Sequence, residues 1–404
     1  MATQSFIIAA KRTPFGAFGG KLKDLTANEL GGLAARAAIE SLPEGARAHL
    51  ASSASPRQTV IFGNVLQSSA DAPYLARHVG HRAGLPVTTP AVTVNRLCTS
   101  GFQAIINAVQ EIKADDADFV VTGGAESMSQ APYVLRNVRW GTKFGPEYLK
   151  MEDTLVAALT DRYPEAVPMA ITAERLADKY GVTRDDCDRY ALESQQRWAA
   201  ANAAGAFAGE IAPVDITVKR KSEAMAADEH PRPQTTLEAL GRLAPVFKKD
   251  GVVTAGNASG ISDGAAAVLV ASEGAVRAHG LEPLARIAAY HTVGVEPGIM
   301  GIGPVDAIRG AVEKAGLTLA QMDLVEINEA FAAQVLACAR ALDLDPARIN
   351  ACGGSIAIGH PLAASGSRIM AHLAHRLRAT GGRYAVGSAC AGGGQGVAIV
   401  IEAL

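Results

Sequence analysis

Apolar positions recur along this chain with two periods, and the chain switches between them in a regular order. Phe6 to Ala10 is a continuous apolar run of the length of a buried strand. Thr26-x-x-Glu29 then opens a helix to about Ser41 as a capping box, with Leu30, Leu33 and Ala37 on one face. Leu42 to Gln58 is polar and serine-rich and reads as a connection. Thr59 to Val65 returns as strand, Asp71 is placed to cap a helix to about Ala83 with Pro73 in its first turn, and Ala91 to Asn95 is strand. Cys98 to Lys113 carries helical spacing at Phe102, Ile105, Ile106 and Val109, and Phe119 to Gly123 follows as strand. Strands alternating with helices predict parallel pairing with right-handed crossovers.

From about Ala125 to Gly256 the texture is more charged and helical. Ile171 to Tyr180 is closed by Gly181, and Thr183-x-x-Asp186 opens a helix to Ala204 closed by Gly205. His230-Pro231-Arg232-Pro233-Gln234 cannot continue a helix or a central strand and is a defined loop. The first pattern then returns: strand at Ala266 to Ala271 and Ala285 to Tyr290, helix at Val305 to Ala315, strand at Leu324 to Asn328, helix at Glu329 to Leu342, strand at Arg348 to Ala351, helix at Ala363 to Arg378, and strands at Tyr384 to Ala389 and Val397 to Ile401. This is an internal duplication of element order, not of residues. It predicts an α/β protein with an N-terminal half at 1–124 plus 257–283, an inserted lid-like region at 125–256 and a C-terminal half at 284–404.

Composition narrows the class. With 404 residues, 49% hydrophobic and 19% charged, the chain can bury a large core over two or three domains. The net charge of -2 gives no general pull toward nucleic acid or an anionic membrane, so an acidic ligand must be met locally. Five cysteines, odd in number and without paired spacing, point to a reducing compartment, and a cytoplasmic or organellar-matrix location is expected. The start is short and apolar, with Lys11 and Arg12 after it, and reads as a strand rather than a signal peptide.

Against that background one stretch carries candidate chemistry. Gly353-Gly354-Ser355-Ile356-Ala357-Ile358-Gly359-His360-Pro361-Leu362-Ala363-Ala364-Ser365-Gly366 puts a lone histidine in a glycine-rich turn before a helix, where an imidazole can move protons near neutral pH. Cys98 lies where a strand run gives way to a helix, and the free N–H groups and dipole there favour thiolate over thiol. Cys390 opens Cys390-Ala391-Gly392-Gly393-Gly394-Gln395-Gly396, in which backbone amides can approach a reacting carbonyl. Each residue has a structural reading when taken alone. In the duplicated register, however, Cys98 and the His360 loop occupy equivalent turns that share one crevice.

Together, Asn95-x-x-Cys98-x-Ser100-Gly101, Asn328-Glu329-Ala330-Phe331, Gly359-His360-Pro361 and Cys390-x-Gly392-Gly393-Gly394 resemble the thiolase family in its order along the chain. The likeness begins at Ala10-Lys11-Arg12-Thr13-Pro14-Phe15-Gly16 and includes Thr254-Ala255-Gly256-Asn257-Ala258-Ser259-Gly260. The resemblance implies two similar halves stacked as five alternating α and β layers, and a homodimer or homotetramer. It also implies cleavage of a 3-ketoacyl-CoA by coenzyme A, with acyl-CoA molecules as substrates and no resident cofactor or metal.

By the same resemblance, Cys98 is the nucleophile, His360 deprotonates it and Cys390 protonates the departing enolate. One oxyanion site is His360 with a water held by Asn328, and the other is the N–H groups of Cys98 and Gly392. For coenzyme A, Ser259 and Ala258 meet the pantetheine arm, Leu159, Met169, Phe247 and Phe331 line its tunnel, and Arg232 sits near the nucleotide. Asn64-Val65-Leu66-Gln67, Asp228-Glu229-His230-x-Arg232-Pro233-Gln234-Thr235-Thr236 and Met300-Gly301-Ile302-Gly303-Pro304 look most like the mitochondrial-type 3-ketoacyl-CoA branch, which points to fatty-acid β-oxidation.

Three residues depart from the family's pattern: Ala363 where glycine is usual, Ser355 where alanine is common, and Cys352 where asparagine is usual. A biosynthetic acetyl-CoA acetyltransferase is the alternative within the family. A catalytically silent acyl-CoA carrier is the rival outside it, though such a protein is expected to lack one of Cys98, His360 or Cys390. A metal protein is disfavoured because Cys-x-x-Cys and His-Glu-x-x-His are absent and His372 and His375 fit a helix surface.

Overall fold

A computed structural model of the chain describes residues 3–54, 57–143, 145, 149–218 and 220–404. β1 (Ser5–Arg12) leads through the short β2 (Gly16–Ala17) to α1 (Ala27–Glu40). At its start the Thr26 hydroxyl accepts from the Glu29 N–H while the Glu29 carboxylate accepts from the Thr26 N–H, so the capping box closes as its spacing requires. The polar connection after α1 is not irregular: it holds α2 (Glu44–Ala51), which buries Ala46 and Leu50. Two apolar anchors at i and i+4 suffice for a short helix lying on a core, and its exposed face hid them. After β3 (Gln58–Gly63), Asp71 does not cap a helix. Its carboxylate instead holds His78 and the Ser69 hydroxyl, and a 3-10 turn leads into α3 (Leu75–Arg82). β4 (Ala91–Val94), α4 (Ser100–Lys113) and β5 (Phe119–Ser127) complete the unit, with β5 running on past residue 124.

The middle of the chain is less purely helical than its charge pattern predicts. It contains β6 (Tyr133–Leu135) paired with β7 (Met151–Asp153), α5 (Thr154–Ala158), and β8 (Thr160–Asp161) paired with β9 (Val167–Pro168). α6 (Met169–Tyr180), ended by left-handed Gly181, and α7 (Arg184–Ala203), opened by the Thr183–Asp186 box, are where they were expected. β10 (Val214–Val218) with β11 (Lys221–Met225) and the short α8 (Leu237–Gly241) follow.

The second half comprises β12 (Ser262–Ser272), α9 (Glu273–Ala278), β13 (Ala285–Gly294), α10 (Gly303–Lys314), β14 (Leu324–Ile327), α11 (Ala332–Leu342), α12 (Ser355–Ile358), α13 (Ala364–Thr380), β15 (Tyr384–Ala391) and β16 (Gln395–Glu402). Arg348 to Ala351 is not a strand. Ile349 alone bridges Val325, and the Asn350 side-chain amide then stands in for backbone, accepting from the Ile327 N–H at 2.9 Å and donating to its carbonyl at 2.8 Å.

All the long strands join one 10-stranded sheet in the order β4-β3-β5-β12-β1-β13-β16-β15-β14, with β2 beside β12. Pairing is mixed, not uniformly parallel. β3 runs parallel to β4 and β5, and β14 to β15, while β12 and β16 return antiparallel. Outward from the join of β1 and β13, both sides read in the same relative order, which makes the duplication spatial. That join is only two residue pairs wide, Phe6 with Arg286 and Ile7 with Ala285.

Three apolar cores define the layers. Leu30 and Ala34 of α1 and Val79 of α3 pack on Phe62, Val121 and Leu269, forming one outer layer. Phe102, Ile105 and Val109 of α4 and Ile369, Met370 and Leu373 of α13 pack between the halves, against Ile61, Val120 and Val268 on one side and Val397 and Ile399 on the other. Ile308 of α10 and Val335 of α11 cover Val325 and Val400 on the far face. The result is helix, sheet, helix pair, sheet, helix. Strands covered on both faces must be apolar on both faces, which explains the unbroken apolar runs in the sequence.

Candidate active site

The Cys98 turn leaves β4 with strained backbone. Leu97 adopts φ +49, and the Asn95 side chain accepts its N–H at 2.9 Å. Ser100 secures the other side, donating to the Leu97 carbonyl at 2.7 Å and accepting from the Arg96 N–H at 2.8 Å. Such a conformation persists only where its surroundings over-determine it. α4 and α13 can then approach closely because Gly101 and Gly366 meet at their crossing. A Cβ on Gly101 would lie 2.7 Å from the Ala363 carbonyl, and one on Gly366 2.5 Å from the Phe102 nitrogen.

Cys98 itself sits just ahead of the first turn of α4, and the thiolate expected there is not its resting state. Burial pushes the thiol up to about 12 and Glu126 adds to the rise, against hydrogen bonds from the N–H groups of Cys98 and Gly392. Desolvation outweighs the helix terminus. The contact with Gly392 brings together two motifs from opposite ends of the chain.

Cys390 stands near the end of β15, before the hairpin in which Gly393 and Gly394 adopt φ +72 and +75. It is buried among Met300, Ala330, Met169 and Phe331. Burial raises its thiol well above the ordinary range, and Cys98 contributes to the rise.

His360 follows Gly359, whose φ of +93 turns the loop inward. The His360 N–H donates to the Gly260 carbonyl at 2.9 Å. Its Nδ1 is 2.6 Å from the Ser365 hydroxyl, which donates its one proton to the Pro361 carbonyl at 3.1 Å. In the tautomer with the ring proton on Nδ1, donated to Ser365, the hydroxyl's own proton goes to Pro361 and the Nε2 lone pair is free. Burial, with Arg368 nearby, pushes the imidazole down to about 3, so it is neutral at working pH. The Asn328 amide nitrogen lies 3.4 Å from Nε2, and its Oδ1 accepts from the Ser355 hydroxyl at 2.7 Å.

Behind this constellation lie two buried carboxylates that sequence reasoning did not assign. Glu126 accepts from the N–H groups of Val65, Leu66 and Ala363 and from the Asn64 amide, joining the Cys98 side to the His360 loop. Burial outweighs these donors and raises its carboxyl to about 7. A single acid inside the apolar run of β5 was the available signal. Glu329 accepts from the Tyr190 and Ser194 hydroxyls of α7, the Asn350 amide and the Ile356 N–H, clamping α7 behind α12. The Ala363 methyl is accommodated without distortion, fully buried on ordinary helical backbone at φ -70 and ψ -25.

Of the residues expected to meet coenzyme A, five converge here. Leu159 packs with Cys98 and Leu362, and Met169 and Phe331 with Cys390. Ala258 bridges Phe331, and the Ser259 N–H donates to the Ala330 carbonyl at 3.0 Å. Arg232 and Phe247 are exposed, and Arg232 is held through its backbone, its N–H donating to the Gln195 side chain at 2.8 Å and its carbonyl accepting from the Thr235 N–H at 3.0 Å. The structure shows neither in contact with the reacting residues.

His372 is not on a helix surface. It is buried in the central layer, with Nδ1 2.7 Å from Glu210, which also takes the Arg12 Nε at 2.7 Å. Arg12 completes the cluster on Asp228 at 2.6 Å. Among the described residues no three His, Cys, Asp or Glu side chains are grouped as a metal site.

Comparison with known proteins agrees with this geometry. Residues 5–274 match the thiolase N-terminal domain and residues 281–403 the thiolase C-terminal domain. The 3-ketoacyl-CoA thiolase of mitochondria from Bos taurus is 60% identical over 399 residues, 98% of each chain. The crystal structure of human mitochondrial 3-ketoacyl-CoA thiolase superposes with a TM-score of 0.95 at 58% identity, covering 100% of both chains. The same human enzyme in complex with CoA gives 0.93 at 58% identity, covering 100% of this chain and 98% of the other.

Proposed function

The chain belongs to the thiolase family, and from that premise we propose that it is an acyltransferase cleaving 3-ketoacyl-CoA with coenzyme A in β-oxidation, giving acetyl-CoA and a shortened acyl-CoA through an acyl-cysteine. The observation that carries the mechanism is that the Gly392 turn lies against the Cys98 turn, where a Cβ on Gly392 would come within 3.3 Å of Leu97, so that the N–H groups of Cys98 and Gly392 favour charge on the Cys98 sulfur. An acyl oxygen on that sulfur would meet both donors.

In this reading the Cys98 sulfur attacks the 3-keto carbon while His360 Nε2 takes the thiol proton. Burial disfavours the charged form of both groups, so proton transfer accompanies attack, as negative charge passes to the oxygen held by the two N–H groups. The bond between C2 and C3 then breaks, and its electron pair passes into the enolate of acetyl-CoA. His360 and a water held by Asn328 stabilise the enolate oxygen, and Cys390 donates a proton to carbon. The proton on His360 returns to the Cys390 thiolate, His360 then takes the thiol proton of coenzyme A as its sulfur attacks the acyl-cysteine, and Cys98 leaves with that proton as the free thiol. In the condensing direction Cys390 removes the α-proton instead.

Leu159, Met169, Ala258, Ser259 and Phe331 are the pantetheine wall in this assignment, with Phe247 and Arg232 at the rim toward the nucleotide. Coenzyme A enters as substrate, and no resident cofactor is invoked. No helix among the described residues is long and apolar enough to cross a membrane. A homodimer or homotetramer, the N-terminal half, insertion and C-terminal half as set by the sequence, and a reducing compartment belong to the same proposal. The mitochondrial relatives favour an organellar matrix over the cytoplasm.

Thiolysis of acetoacetyl-CoA and of a long 3-ketoacyl-CoA, with Cys98→Ala as control, tests the function. Cleavage of both, abolished in the variant, is expected. Activity on acetoacetyl-CoA alone would move the assignment to biosynthetic condensation, and none on either to a silent carrier.

A further inference from the structure

Ser355, one of the three departures from the family's usual residues, is fully buried at the start of α12, against Asn328. Its hydroxyl lies 2.7 Å from Asn328 Oδ1, an atom that can only accept, so the hydroxyl donates. That contact decides which end of the amide faces His360. With Oδ1 held by Ser355, the NH2 group points at His360 Nε2, 3.4 Å away. Oδ1 has no other hydrogen-bond partner among the described residues.

The orientation matters because the two ends of the amide give the ring opposite instructions. A donor facing Nε2 favours the lone pair there, the form that can take a proton. A flipped amide would present Oδ1, favour a proton on Nε2 and oppose the preference that Ser365 sets at Nδ1. It would also withdraw the N–H groups from the water proposed to face the developing enolate oxygen. We propose that Ser355 is a positioning residue that locks the Asn328 amide, and through it keeps His360 in the tautomer competent as a base. The inference rests on the thiolase reading above.

The test is a double-mutant cycle with Ser355→Ala and Asn328→Ala, reading kcat and KM for thiolysis, with the 15N shifts of the His360 ring in the unmodified protein and in Ser355→Ala. Loss of the hydroxyl should lower kcat about three- to ten-fold with KM for coenzyme A unchanged. In the Asn328→Ala background the same substitution should cost nothing more, whereas a residue that only packs would subtract equally from both. The ring spectrum should show Nε2 unprotonated in the unmodified protein and a shift toward its protonated form in Ser355→Ala. An unchanged kcat, equal losses in both backgrounds, or a protonated Nε2 in the unmodified protein would overturn the proposal. If the unmodified protein cleaves no 3-ketoacyl-CoA, the functional reading fails, and the ring spectrum decides the positioning role by itself.

Discussion

Arg96 donates to Gln395 across 2.8 Å and to Gln103 across 2.7 Å, so one guanidinium spans from the Cys98 turn and its following helix to the turn after Cys390. The N–H groups of Cys98 and Gly392, the proposed oxyanion donors, therefore share a brace. Arg96→Lys keeps the charge but loses the planar fork that serves both acceptors. The expected outcome is a three- to ten-fold fall in kcat, with acyl-enzyme formation slowed in single-turnover measurements and little change in melting temperature. An unchanged single-turnover rate would show that the brace is not needed.

Asn328→Ala removes the amide proposed to hold the oxyanion water without touching Cys98. Turnover should fall by about 10²–10³-fold, or about 2.7–4 kcal/mol of barrier, while coenzyme A still binds. Wild-type turnover would refute its role.

Glu126 presses on the Cys98 thiol through space. Glu126→Gln removes a negative charge that raises this thiol, so alkylation of Cys98 by iodoacetamide at pH 8 should speed up. Cys98 is also the only one of the five cysteines with a partly accessible side chain, so a single equivalent of reagent should find it first. The same substitution should flatten a stability slope. The folded carboxyl titrates at about 7 against an ordinary value of 4.5, so the native state holds the extra proton and stability falls as pH rises between them. Alkylation that slows in Glu126→Gln would count against the charge effect.

The Glu210–His372 pair predicts a stability window. Burial alone would lower His372, but Glu210 outweighs it and the imidazolium persists to about 10. Burial alone would raise Glu210, but His372 and Arg12 hold it at about 2. His372 thus adds stability that is full below 6.5 and lost as pH rises through about 10, and Glu210 adds stability that is full above 4.5 and lost as pH falls through about 2. His372→Ala strands Glu210 beside Arg12 alone and should cost about 3–5 kcal/mol at pH 6. The difference from wild type in urea midpoint should shrink toward pH 10, and a difference constant with pH would rule out the linkage.

What the sequence revealed and what it concealed follow from how local each signal is. The boxes at Thr26 and Thr183 involve residues three apart, so they are legible without the fold. Strand direction is not: an apolar run reads the same in a parallel or antiparallel ladder, and β12 and β16 became antiparallel through connections whose paths lie outside the run. The cysteines and His360 stood out because glycines surround them. Glu126 and Ser355 act through hydrogen bonds to residues distant in the chain, and beyond the lone acid in β5 these leave no pattern. His372 misled because three-residue spacing on a helix marks a surface only when the helix has one. α13 lies in the central layer and has almost none.

That central layer also sets an order of events in the cell. α4 is complete early in synthesis, but α13, the helix it must lie against, is made near the end of the chain. At about 5–20 residues per second the two are tens of seconds apart. Through that interval the apolar stripe of Phe102, Ile105 and Val109 waits on the ribosome without its cover, a surface that chaperones bind and that other nascent chains can capture.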